Sequence, residues 1–168
     1  ILDMGTGMRE LGAAWGNHRP VDATVLVTHL HWDHVQGLPF FVPVHHPESD
    51  VQIYGPPHGD QSLRETFEGL MQPPYFPICC DNLPSGIDFV TSCDEVLAVD
   101  DAKVTTRLVP HTGPTNGYRI ELDGYVVAYI PDHQEPEDGA AVTAGVSELC
   151  AGADLLIHDA QFTPDELR

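Results

Sequence analysis

Positive charge is scarce in this sequence. Seven Lys and Arg stand against 26 Asp and Glu in 168 residues, a formal charge of −19. So acidic a chain repels nucleic-acid backbones unless its cations are gathered locally. Two bound divalent metals would still leave −15. Long RNA or DNA is therefore a poor fit, and a small phosphorylated or ester substrate a better one. Most of the acidic excess reads as solvated surface. Cysteine is sparse too: Cys79, Cys80, Cys93 and Cys150 make neither a C-x-x-C pair nor a zinc-knuckle spacing. Free, mostly buried thiols in a reducing, cytoplasmic setting are expected. No apolar run approaches the roughly 20 residues of a membrane helix, so no membrane partner is expected. No basic segment followed by an apolar one lies near Ile1, so no leader peptide is expected. Repeats, low-complexity tracts and a dividing linker are all lacking, which predicts one domain over 1–168 with a core of its own.

Histidine, by contrast, is concentrated. Three of the 10 His and one Asp fall in Thr28-His29-Leu30-His31-Trp32-Asp33-His34, an H-x-H-x-D-H pattern. By composition alone such a pattern should occur on the order of a few times in a thousand chains of this kind, so an accidental polar loop is disfavoured. Val25 to Thr28 read as a buried strand. In extended chain, residues two apart point the same way, so His29 and His31 present two imidazoles to one side. The chain then turns, and Asp33 and His34 sit where a helix begins, facing a second point nearby. Imidazole with carboxylate suits zinc, and also iron or manganese.

Along the rest of the chain, Ile1-Leu2-Asp3 reads as the end of a strand and 8–15 as a short helix with Met8, Leu11 and Trp15 on one face. Gly5 and Gly7 lack the full G-x-G-x-x-G, so close strand-to-helix packing is their expected role. Asp3 is expected to hydrogen-bond neighbouring loops, and His18 to be an exposed loop residue. His45 and His46 fall in a Pro-rich loop. A strand at 51–54 is followed by a helix over 61–71 capped by Asp60. Proline excludes regular structure over 72–78, whose aromatics serve either as loop core or as a pocket wall. Strands are predicted at 87–91, 95–99, 103–109, 117–122 and 125–130, with Asp123-Gly124 as a two-residue hairpin turn. A helix over 142–150 and a buried strand at 154–157 complete the pattern.

Three titratable residues sit directly behind apolar strands: His111 after Val109-Pro110, Asp132 after Ile130-Pro131, and His158 after Leu155-Leu156-Ile157. Functional groups are commonly presented at such places. With the first cluster they read as parts of one constellation.

The H-x-H-x-D-H segment after a core strand resembles the signature of the metallo-β-lactamase superfamily. Tyr54-Gly55-Pro56 and Leu155 through Gln161 resemble its phosphodiesterase branch, the tRNA 3′-processing and cyclic-phosphodiesterase relatives. The resemblance implies an α/β fold, the αββα four-layer sandwich, and a two-zinc site, with manganese or iron as substitutes. It makes His29, His31 and His111 ligands of one metal, Asp33 and His34 ligands of the other, and Asp132 the bridge. It also implies a further histidine beyond His158, which is lacking here, and a first hairpin before Ile1. A fragment without the first hairpin and the C-terminal elements is therefore expected, with His133 or His158 as stand-in ligands.

The chemistry so implied is phosphodiester hydrolysis. A water held between two metals, roughly 3.5–4 Å apart, is brought toward a pKa of ~7. Asp33 and Asp132 orient it, and His158 either stabilises the transition state or protonates the leaving oxygen. The rivals are a thioester or lactam hydrolase on the same metals and a non-catalytic metal-binding remnant. Homodimerisation is left open.

Overall fold

Val25, Val51 and Ile53 lose all solvent exposure, while Asp22, Asp50 and Gln52 between and beside them stay open. That alternation makes the first sheet of a computed structural model of the protein. The structure describes residues 1–16, 19–134, 142–160, 163 and 165; His18 and Gln161 lie outside the described residues. The chain divides into two units, Ile1–Cys93 and Asp94–Arg168.

The first unit runs α1 (Thr6–Trp15), β1 (Asp22–Leu26), α2 (Trp32–Val35), β2 (Asp50–Gly55), α3 (Leu63–Glu68) and β3 (Gly86–Thr91). Its strands form a parallel sheet in the order β1-β2-β3, with Val25 opposite Ile53 and Ile53 opposite Phe89. Parallel neighbours need crossovers, and the segments carrying α2 and α3 supply them. Leu2 adds one parallel bridge to Leu26, so the expected strand end at Ile1-Leu2-Asp3 is real but a single bridge long. Met4, Met8, Val27, Leu38, Phe41, Leu63 and Phe67 pack with the strands into one apolar cluster. Trp15, at the end of the face that carries Met8 and Leu11, is 43 % exposed and sets its ring edge-on against buried Phe41.

Two local expectations are corrected here. Helix α3 is capped by Ser62, not Asp60: Ser62 Oγ accepts from the Glu65 amide and Glu65 Oε2 accepts from the Ser62 amide. This S-x-x-E box satisfies two end donors at once, which Asp60 cannot do from the preceding turn. The helix stops at Glu68, before Gly69 and the prolines at 73 and 74, and Met71 is buried from a turn instead. His45 lies in a 3-10 turn, Val42–His45, with its Nε2 on the Pro39 carbonyl.

The second unit runs β4 (Val96–Val99), β5 (Ala102–Leu108), β6 (Asn116–Leu122), β7 (Tyr125–Ile130), α4 (Ala144–Cys150) and β8 (Leu155–His158). The sheet order is β4-β5-β6-β7-β8, antiparallel up to β7 and parallel between β7 and β8. Asp123 and Gly124 both take positive φ, 53° and 82°, as a two-residue turn between right-twisted strands requires. Helix α4 lies on β5 and β6, closing a small core of Val109, Ile130, Val146 and Leu149. Arg119 donates to the Leu149 and Ala151 carbonyls at its C-terminus. Strand β8 was expected to be buried. Leu155, Leu156 and Ile157 are instead 52, 49 and 40 % exposed, because β8 is the outermost strand of its sheet among the described residues. Among the described residues no helix is long and apolar enough to cross a membrane.

All four cysteines are free, but only Cys80 is buried; Cys79 is exposed and the others are intermediate. Burial, reinforced by the charge of Glu68, pushes the Cys80 thiol up to about 11. Iodoacetamide at pH 8 should therefore label Cys79 readily and Cys80 only after unfolding, read by peptide mass spectrometry. A Cβ on Gly37 would fall inside contact distance of the Gly5 and Met4 carbonyl oxygens. Gly37→Ala should cost about 2 kcal/mol or more, seen as a lower urea midpoint.

Candidate functional site

The H-x-H-x-D-H loop leaves β1 extended and enters α2 with His31 as its N-cap residue. The two-residue spacing does what the sequence predicts: His29 Nε2 and His31 Nδ1 face each other at 2.7 Å. His29 is buried and His31 exposed. The His34 ring joins them, its centroid 4.3 Å from that of His29. Asp33, in the first turn of α2, holds Oδ2 3.5 Å from His34 Nε2 and is 75 % exposed.

A buried carboxylate organises these rings. Asp3 Oδ1 accepts from the Thr28 amide at 2.7 Å, and both its oxygens lie 3.0 Å from the Thr28 hydroxyl. Asp3 Oδ2 accepts from His34 Nδ1 at 2.9 Å. A carboxylate only accepts, so the His34 proton sits on Nδ1 and the lone pair on Nε2 is turned outward. The Thr28 hydroxyl donates to Asp3 and therefore accepts from His29 Nδ1 at 3.1 Å, which turns the Nε2 lone pair of His29 toward His31. Partners of this kind fix the tautomer and direction of metal-binding imidazoles. Backbone bonds stitch the strand end to the loop: Met4 N to His34 O and Gly37 N to Met4 O, each 2.7 Å. Gly5 has no side chain because a Cβ would meet the Asp33 carbonyl at 2.5 Å.

In the second unit, β5 and β7 both run antiparallel to β6, and β8 runs parallel to β7. All three therefore end at the same end of the sheet, and His111, Asp132 and His158 lie there. His111 Nε2 is 3.4 Å from Asp132 Oδ2. His158, opposite Ile130 in register, places Nε2 3.1 Å from His133 Nδ1 and Nδ1 2.7 Å from the Asp159 carbonyl. Burial first, and then the neighbouring charge of His158, lowers the pKa of His133, so its neutral form prevails near pH 7. The sequence marks Asp3 only as a partner of neighbouring loops, not as the residue that holds His34, and His133 only as a stand-in ligand. Asp3 does carry a readable signal, an acid ending an apolar strand, as Asp132 does.

The donors fit a metal. Two ligands about 2.05 Å from one tetrahedral zinc lie about 3.3 Å apart. The His111–Asp132 gap of 3.4 Å matches that, and the His29–His31 gap of 2.7 Å needs only a slight opening.

A family model described as the beta-lactamase superfamily domain matches residues 2–168. The chain belongs to this superfamily. Ribonuclease Z of Mycobacterium avium (strain 104) is 29 % identical over an alignment 171 positions long that covers 94 % of this chain and 58 % of that protein. Ribonuclease Z of Metallosphaera sedula is 31 % identical over an alignment 181 positions long that covers 82 % of this chain and 58 % of that protein. The chain thus spans under two thirds of the length of these relatives. Among solved structures, zinc-bound PqqB of Methylobacterium extorquens superposes with a TM-score of 0.63 at 22 % identity, over 94 % of this chain and 55 % of that one. The short form of human tRNase Z gives 0.63 at 19 %, over 98 % and 68 %. These likenesses establish the metallo-β-lactamase fold, with its two sheets, and the matched curated relatives lie in the branch that the sequence resembles.

If Asp3 orients His34, Asp3→Asn should weaken zinc binding about 10- to 100-fold. Competition with a chromophoric chelator measures this, with the melting temperature recorded alongside to separate unfolding from lost affinity.

Proposed function

We propose that the chain carries the centre of a metal-dependent phosphodiesterase, its two units acting as one hydrolase domain over 1–168. His29, His31, His111 and Asp132 would hold one zinc. Asp33 and His34, sharing Asp132, would hold a second. The observation that carries this reading is the gathering of three imidazoles on one loop, with His34 braced by the Asp3 carboxylate. Isolated loop histidines have no need of such bracing. Manganese or iron would suit the same donors. Bound there, a divalent metal polarises phosphoryl oxygens and lowers the pKa of water toward ~7.

The chain's own residues complete the chemistry. The Asp33 carboxylate, exposed beside His34, accepts a proton from the attacking water and so fixes its direction. His158 keeps Nδ1 on the Asp159 carbonyl, so a proton carried at Nε2 is the one available to the leaving oxygen. His133 shares that Nε2 and holds the ring in place. Support for the substrate class comes from the relatives, named ribonuclease Z, which the chain matches over most of its length. The acidic charge favours a small phosphodiester over a long strand. Four free cysteines suit a reducing, cytoplasmic setting.

Purified protein with zinc or manganese should hydrolyse bis(p-nitrophenyl) phosphate. His31→Ala and Asp33→Ala should each lower kcat/KM by at least about 100-fold. Equal rates in all three proteins overturn the proposal. Turnover of thioesters or lactams alone would assign the same metals to acyl chemistry.

A further inference from the structure

Every described histidine but one has its ring in use. His45 donates to the Pro39 carbonyl, His46 accepts from the Glu48 amide, and the others meet one another or Asp132. His58 is exposed, and among the described residues its ring has no hydrogen-bond, ion-pair or aromatic partner. Its backbone, by contrast, is fixed. His58 and Gln61 exchange two main-chain bonds, 3.3 and 3.1 Å long, around Gly59, which takes φ 61°. Ser62 then caps α3. The turn thus presents an unengaged imidazole from a set position.

That position is at the end of the first sheet that carries the histidine loop. Strands β1 and β2 run parallel with Leu26 opposite Tyr54, and the Val27 amide bonds the Tyr54 carbonyl at 2.8 Å. Carried on, that register puts residue 58 level with residue 30, in chains about 5 Å apart. Both ends of the 56–62 loop are tied to this place. A Cβ on Gly55 would meet Leu63 at 3.1 Å and Val27 at 3.4 Å. Ligands of open parallel sheets sit outside the carboxyl ends of the strands, where this loop lies.

We propose that His58 is a substrate-binding residue, its imidazole N–H donating to a phosphoryl oxygen of the ester held at the histidine loop. This rests on the phosphodiesterase reading above. Even a neutral imidazole keeps one N–H to donate, so the contact does not depend on charge. The first unit offers little else for the purpose. It has three basic side chains. Arg64 is committed to Glu68 and Asp81, and Arg19 precedes β1, at the far end of that strand from the loop. Arg9, one turn into α1, is the third and serves as the control.

The full chain, loaded with zinc, is assayed on bis(p-nitrophenyl) phosphate, and its affinity for inorganic phosphate is measured by calorimetry. His58→Ala should raise KM and the phosphate Kd about tenfold, with kcat within about threefold. Zinc content and melting temperature should not change. His58→Gln keeps an N–H and should restore most of the loss. Arg9→Ala should alter neither constant by more than about twofold. Unchanged KM and Kd in His58→Ala overturn the proposal, and so does a tenfold loss in Arg9→Ala alone. A loss accompanied by missing zinc overturns it too, since His58 would then serve the metal and not the substrate. Weaker phosphate binding in His58→Ala without any turnover by the native chain would sink the catalytic reading and leave the phosphate contact standing. Turnover indifferent to residue 58 would do the reverse.

Discussion

The carboxylate of Asp3 is the constraint on which the first unit's site depends. A buried charge is costly unless hydrogen bonds replace its water. Asp3 is 6 % exposed and is surrounded by the Thr28 amide, the Thr28 hydroxyl and His34 Nδ1. Each of those partners belongs to the histidine loop. Satisfying the charge therefore sets the loop, and the loop aims the imidazoles. Asp3 takes φ 55° to do this, a left-handed conformation that aspartate tolerates better than most residues. The glycines at 5 and 37 let the backbone come close enough for those bonds to form.

The second unit reaches a comparable result by topology. No short motif gathers His111, Asp132 and His158; strand direction does. Two antiparallel pairings and one parallel pairing bring three strand ends to one end of the sheet. Gly117, in β6, leaves space that the side chains of Leu149, Val109 and Ile130 fill, so α4 sits tightly on that sheet.

The parts of the site that could be read from the sequence are those whose geometry is local. His29 and His31 meet because alternation along an extended chain is a property of the chain itself. His111, Asp132 and His158 could be placed because each follows an apolar run that had to be a strand. What could not be read depends on partners far apart. Asp3 and His34 are 31 positions apart, and nothing in either segment announces the other. His133 meets His158 only through the register of β7 against β8. Leu155-Leu156-Ile157 is equally apolar as an inner or an outer strand, so its exposure had no signature. The choice of Ser62 over Asp60 as a cap was local and readable, through the glutamate three residues on.

That outer strand has a consequence for handling the protein. Among the described residues no strand pairs with its far edge, and Leu155-Leu156-Ile157-His158 offers neither lysine nor proline to discourage pairing with another chain. Mutual repulsion between strongly anionic molecules opposes such pairing. Acidification that titrates the carboxylates should remove that protection, and turbidity would then appear well before the strands themselves melt.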